Sequence, residues 1–265
     1  MLVKLLKHEF IATARILLPV MLAVLAAGAL TALIGLISTG NQTFTVIFTS
    51  LYIIAIIGSG AAVLLVIIQR FWTNLLGREG YLMFTLPVKR RDLIISKLIP
   101  AVTWQVVNII VVALSLLMIV AAWVPADLWP EITQGIMAAK SGLAASFPVN
   151  VKLLLIVFTV LTVISIASNV LMVYLSMALG QLANSGRVVI SIAAYFGIYF
   201  GIQIIMTILL VAAGALMPTF STALEASAPA AIWGFLAFST FISLVWTAVM
   251  YFVTEHLLHK RLNLL

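Results

Sequence analysis

Long runs of apolar residues, separated by short polar gaps, set the pattern of the chain. Such runs cover residues 16–38, 44–69, 99–122, 151–179, 187–216 and 231–254, each longer than the roughly 18 residues a helix needs to cross a bilayer. Backbone amides in hydrocarbon find no water to bond, so each run predicts a helix that satisfies its own peptide groups. The pattern predicts an all-α polytopic membrane protein with six transmembrane helices, a single transmembrane domain over residues 1–265, no appended soluble domain and no internal repeat.

The gaps carry the remaining pattern. Residues 1–15, MLVKLLKHEFIATAR, put Lys4, Lys7, His8 and Arg15 on one helical face and Leu2, Leu6, Phe10 and Thr13 toward the other, which predicts an interfacial helix along the inner leaflet. A cleaved signal peptide is the competing reading, but the apolar run that follows is too long for a signal core, so an uncleaved first span is expected. The third run is preceded by residues 70–98, RFWTNLLGREGYLMFTLPVKRRDLIISK without its last position, which hold Arg70, Arg78, Lys89, Arg90, Arg91 and Lys97 beside Glu79 and Asp92. Within it, Tyr81, Leu82, Phe84 and Leu86 stand next to a charged pair, the make-up of a short amphipathic helix offered to a partner protein. An interfacial helix lying on lipid is the other reading. Thr85 as a cap and Pro87 in a first turn announce a second helix, with Leu93, Ile94 and Leu98 at helical spacing, and Pro100 is expected in the first turn of the third span.

Residues 123–150 form an outer segment. Trp123, Pro125, Trp129 and Pro130 mark an aromatic interface there, and a modest helix runs from Glu131 to Ser146. A tight polar link, GQLANSGR, joins spans four and five. The fifth run exceeds what about 30 Å of hydrocarbon requires, so it tilts, protrudes or breaks near Gly214. Residues 217–230 lack basic side chains and read as an external or re-entrant element.

Charge fixes the orientation. With the amino terminus inside, every one of the 14 Lys and Arg residues except Lys140 and Lys152 lies on the inner side, a bias that predicts cytoplasmic termini in a multi-pass protein of a bacterial plasma membrane. The net charge of +7 is accounted for by topology and anionic headgroups, and no nucleic-acid partner is expected. A composition of 65% hydrophobic and 8% charged residues is that of a protein surrounded by membrane lipid. The chain has no cysteine, which excludes disulfides, thiolate catalysis and Cys-ligated metals.

Absences narrow the chemistry further. No Lys, Arg, Asp or Glu falls near the middle of a span, so proton- or sodium-coupled transport lacks its usual machinery. There is no phosphate-binding loop of the G-x-x-x-x-G-K-S/T form, so energy for uphill transport has to come from another polypeptide. Glu255, His256 and His259 have a metal-capable spacing, but beside Lys260 and Arg261 at a membrane exit they read as interfacial anchors, and no metal site is assigned. Gly197 and Gly201 form a G-x-x-x-G pair suited to close helix approach, within the chain or between copies. With Tyr195, Tyr199, Gln203 and the span-two glycines Gly58 and Gly60 they are the candidates for a translocation path or dimer seam; lipid or core contact is the plain alternative for the aromatic rings. A carrier or channel acting alone for a small solute would have Asn108, Asn169, Gln203 and Thr207 to line its pore. An intramembrane enzyme would need a nucleophile and base at depth, yet no His or carboxylate lies there, so no catalytic residue is assigned.

The sequence resembles the membrane subunit of an ABC-2 type ABC transporter. The resemblance rests on the amino-terminal KHEFIATARILLP, the loop pattern GREGYLMFTLPV followed by RRDLIISKL, and YLSMALGQLANSGRVVISIAAYFGI across spans four and five, and it covers essentially the whole chain. It implies a coupling helix between spans two and three that docks on a separate cytoplasmic ABC ATPase subunit, and a second permease copy or sister subunit facing the first. The implied docking residues are Arg78, Glu79, Gly80, Tyr81, Leu82, Phe84 and Pro87. ATP and Mg would be bound by the partner ATPase, with no cofactor in this chain. The expected activity is ATP-driven export of a hydrophobic or amphiphilic substrate such as a drug, an antimicrobial peptide or a lipid.

Overall fold

The computed structural model describes residues 2–37, 42–76, 90–146, 151–183, 185–216 and 228–260. Among these, all regular structure is helical: α1 (Leu2–Ile37), α2 (Gln42–Phe71) with one wide π-helical turn at Trp72–Leu76, α3 (Arg90–Trp123), a 3-10 turn at Ala126–Leu128, α4 (Trp129–Ser146), α5 (Val151–Gly180), α6 (Arg187–Leu216) and α7 (Ala228–Lys260). Six stretches are long and apolar enough to cross a membrane, namely Leu2–Ile37, Thr43–Leu76, Arg91–Trp123, Lys152–Gly180, Arg187–Leu209 and Trp233–Leu258. The protein is therefore a multi-pass, all-helical membrane protein. Hydroxyl groups do not break these helices, because they donate back to carbonyls of their own turn: Thr159 to Leu155 at 2.8 Å, Thr162 to Phe158 at 2.8 Å, Thr207 to Gln203 at 2.8 Å. Exposed toward lipid, these side chains need no external partner.

Two compact units divide the chain. The first takes in α1, α2 as far as Thr73, α3 and the chain onward to Met137. Here α1 is central, packing on α2 and α3, which also touch each other. Its buried positions Glu9, Thr13, Leu17, Met21, Val24, Gly28 and Thr31 follow one another at three- or four-residue steps, which lays them along a single stripe, with Ala32 beside its end. Contacts from α1 to α3 rise together in both helices, from Glu9 with Lys97 through Thr13 with Trp104 to Thr31 with Trp123. The two helices therefore run parallel, as alternating passes require of spans one and three. The return helix α2 packs its Tyr52 into an apolar cluster with Val24, Ala32 and Ile119.

The second unit contains α5, α6 and α7, with α5 packing on both of the others. The Ser168 hydroxyl lies 2.5 Å from that of Thr247, linking α5 to α7. Thr247 already donates to the Ser243 carbonyl at 2.7 Å, so Ser168 is the donor between them. The turn between α5 and α6 closes around Gly186, whose φ of +68° suits glycine.

Three details depart from the expectations above. Residues 2–15 continue into the first apolar run as one helix to Ile37 without a break, because one buried stripe runs through both. Pro100 lies well inside α3 rather than in its first turn, since the helix begins at Arg90. Its ring removes the bond that the Ser96 carbonyl would otherwise accept, making this a weak point of α3. The fifth span does not break near Gly214; α6 continues to Leu216. Its 30 residues reach about 45 Å at 1.5 Å each, which leaves tilt or protrusion to absorb the excess.

Candidate functional site

The implied docking residues Arg78, Glu79, Gly80, Tyr81, Leu82, Phe84 and Pro87 lie outside the described residues. Their flanks are described. On the amino-terminal side Phe71, Leu75 and Leu76 are buried, as is the polar Asn74; on the carboxy-terminal side Leu93, Ile94, Ser96 and Lys97 are buried.

A polar seam runs along the buried stripe of α1. At its first rung the Lys97 ammonium donates to the Glu9 carboxylate, with both residues buried, at 5% and 8% exposure. One turn on, the Trp104 indole N–H donates to the Thr13 hydroxyl at 2.8 Å, and Thr13 in turn donates to the Glu9 carbonyl at 2.7 Å. Further along, the Tyr52 hydroxyl on α2 meets Ser115 on α3 at 2.7 Å. Ser115 spends its own proton on the Val112 carbonyl at 2.8 Å, so Tyr52 donates. Gly28 of α1 lies against Ser115, where an added Cβ would approach the serine Cβ to 2.9 Å. At the last rung the Trp123 indole N–H reaches the Thr31 carbonyl at 3.3 Å, and its ring lies over Gly35 so closely that any side chain there would overlap it.

Rung spacing places this seam in the membrane. Glu9 and Thr31 are separated by about 33 Å of helix at 1.5 Å per residue, close to the hydrocarbon thickness of about 30 Å. The ion pair therefore stands at one boundary and Trp123 at the other. A charged pair is affordable there, whereas at the bilayer centre each charge would cost about 2.5–3.5 kcal/mol on insertion scales. Glu9 was not among the residues singled out from sequence. The signal was present: it is in step with Thr13, Leu17 and Met21 on the buried stripe, and an acid on such a stripe requires a cation opposite.

The candidate path residues are distributed differently. At Gly197 and Gly201 on α6 and Gly58 and Gly60 on α2 no atom of another element among the described residues lies within 4 Å of where a Cβ would stand, so none of them serves a close helix contact there. Tyr195, Phe196, Tyr199 and Phe200 form a run of ring contacts along α6, edge-to-face with centroids 5.8 Å apart for Tyr195 with Phe196 and for Tyr199 with Phe200, and stacked at 6.4 Å for Phe196 with Phe200. Phe196, Tyr199 and Phe200 are exposed, as is Gln203. Of the pore candidates, Asn169 donates to the Ser165 carbonyl at 3.1 Å and Thr207 to Gln203, each within its own helix. The Asn108 side-chain carbonyl is buried with no hydrogen-bond partner among the described residues. Glu255 and His256 occupy the last turns of α7, and no cluster of three His, Asp or Glu residues occurs among the described residues. No family model matches the sequence, and neither the curated proteins nor the solved structures include a significant match.

Proposed function

We propose that the chain is the permease subunit of an ATP-driven ABC-2 type exporter, operated by a separate cytoplasmic ATPase that docks on residues 78–87. The observation that carries this reading is the one strongly charged interruption of an otherwise apolar chain, with an aromatic pair, Tyr81 and Phe84, set among its charges and both flanks buried. Glu79 pairs with a basic residue of the ATPase and the two rings fill an apolar cleft on it; a buried aromatic anchor is typically worth about 2 kcal/mol or more. When the ATPase closes on ATP, the push enters α3 at Arg90 and the seam transmits it. Lys97 and Trp104 hold α1 to α3, so the parallel pair tilts as one body, and Tyr52 draws α2 along.

A second permease, either a copy or a sister subunit, completes the path. The open glycines and aromatic rings of α6, and separately the open glycines of α2, are surfaces such a partner could use, and an uncharged interior suits hydrophobic drugs, peptides or lipids better than ions. The orientation follows the positive-inside bias, with both termini cytoplasmic in a bacterial plasma membrane. An ATP-independent carrier is the weaker reading, because Asn169 and Thr207 already spend hydrogen bonds on their own helices. Replacing Tyr81 and Phe84 together by Ala tests the proposal. Co-purification of the ATPase is expected to be lost while thermal unfolding of the membrane protein is unchanged; undiminished association overturns the docking assignment.

A further inference from the structure

Among the described residues, helix α4, Trp129–Ser146, is the one long helix outside the six membrane-crossing stretches, and its side chains from 129 to 142 are all exposed. Its surface is not uniform. At about 100° per residue, Trp129, Ile132 and Ile136 fall on one narrow arc, with Leu143 in the same register. Ile136 is 63% exposed and Met137, on the flank of the arc, 69%. Glu131, Gln134 and Ser141 occupy the opposite side, and Lys140 stands at the edge of the arc, where its stem can lie on apolar surface while the ammonium reaches outward.

The tethers restrict where this helix can be. It follows Trp123, the last residue of α3, after the short stretch 124–128, and residues 147–150 alone separate it from α5. The apolar run of α5 starts at Leu153, directly after Lys152, so the chain is back at the hydrocarbon boundary there. Five Cα steps from Ser146 to Val151 span at most about 18 Å. The 18 residues of α4 are about 27 Å long, so a helix standing upright would carry its far end beyond that reach. A return of at most about 18 Å over a length of about 27 Å keeps the helix within about 40° of the membrane plane, where an amphipathic helix finds lipid for its apolar arc.

We propose that α4 is a surface anchor lying in the headgroup region of the leaflet where α3 ends, with Trp129, Ile132 and Ile136 turned to the acyl chains and Lys140 among the phospholipid phosphates. This rests on the membrane-spanning character of α3 and α5 and not on the transporter reading, so either can fail without the other. It also gives the Trp123 and Trp129 pair a common role, since both rings then sit at the same interface.

The absence of cysteine makes the test direct. Single cysteines placed by Ile132→Cys, Gln134→Cys, Ile136→Cys and Ser141→Cys in the full chain, spin-labelled and reconstituted in phosphatidylcholine–phosphatidylglycerol vesicles, are compared for collision with oxygen, which concentrates in lipid, and with a water-soluble nickel chelate. Labels at 132 and 136 are expected to show an oxygen-to-nickel ratio several-fold above those at 134 and 141. A high nickel accessibility at all four positions would place the helix in water and overturn the proposal. Labels at 132 and 136 that are immobilised and shielded from both reagents would show protein against the arc, whether a second copy or another polypeptide, and would overturn it equally.

Discussion

Replacing Lys97 by methionine strikes the seam at its first rung. The lysine side chain is 4% exposed and that of Glu9 11%, and methionine keeps most of the apolar stem while removing only the ammonium. The Glu9 carboxylate then loses its Lys97 counter-charge in a nearly dry site. Breaking a buried ion pair from one side costs about 3–5 kcal/mol, and because water is near at the membrane boundary the lower end, about 3 kcal/mol, is expected here. Thermal unfolding in detergent micelles, followed by tryptophan fluorescence, measures it. At about 2–4 °C per kcal/mol for a chain of this size, the midpoint should fall on the order of 10 °C. Combining Lys97→Met with Glu9→Gln removes both charges and should recover most of the loss, giving a coupling free energy of about 2 kcal/mol. A single-variant loss below about 1 kcal/mol, the worth of an exposed pair, would refute the burial on which the reasoning rests. A double variant no more stable than Lys97→Met would refute the pairing.

The other rungs and turns make smaller claims. Gly35→Ala drives a methyl group into the Trp123 ring and should cost about 1–3 kcal/mol despite the better helix propensity of alanine, whereas Gly58→Ala and Gly197→Ala, where nothing is near, should leave the melting midpoint unchanged or raise it. Ser115→Ala takes the acceptor from Tyr52 and should lower stability by about 0.6–1.7 kcal/mol in the same melt, with Tyr52→Phe adding little to it. Gly186→Ala places a Cβ on a backbone at φ +68° and should cost about 1–2 kcal/mol, visible as faster proteolysis of the α5–α6 turn.

How much of this could be read from the chain depended on the kind of signal. The spans were legible because hydrocarbon imposes one solution on a long apolar run, and six such helices are found. The seam was less legible, because Glu9 sits among Lys7, His8 and Arg15 in sequence and was assigned no role on the expected interfacial helix. Only the stripe it shares with Thr13 and Leu17 reveals it as buried, and no rule of sequence spacing links it to Lys97. Pro100 was misplaced because the third span was started afresh at residue 99, after the helix announced from Pro87, whereas α3 runs unbroken from Arg90 and sets the proline deep within it. The G-x-x-x-G pair of α6 shows the opposite limit: the motif was plain, but its glycines meet no other element among the described residues, so the motif alone did not say what packs on them.

Site-specific crosslinking from residues 82 and 84 tests the central claim most directly. A photoreactive group introduced by Leu82→Cys or Phe84→Cys and maleimide coupling, possible because the chain has no other cysteine, is activated in membrane vesicles of the native host, and the adduct is identified by mass spectrometry. The account predicts a cytoplasmic polypeptide carrying a nucleotide-binding phosphate loop, in a yield that changes when ATP is added. Adducts with lipid alone, or with no ATP-binding protein among them, would contradict it.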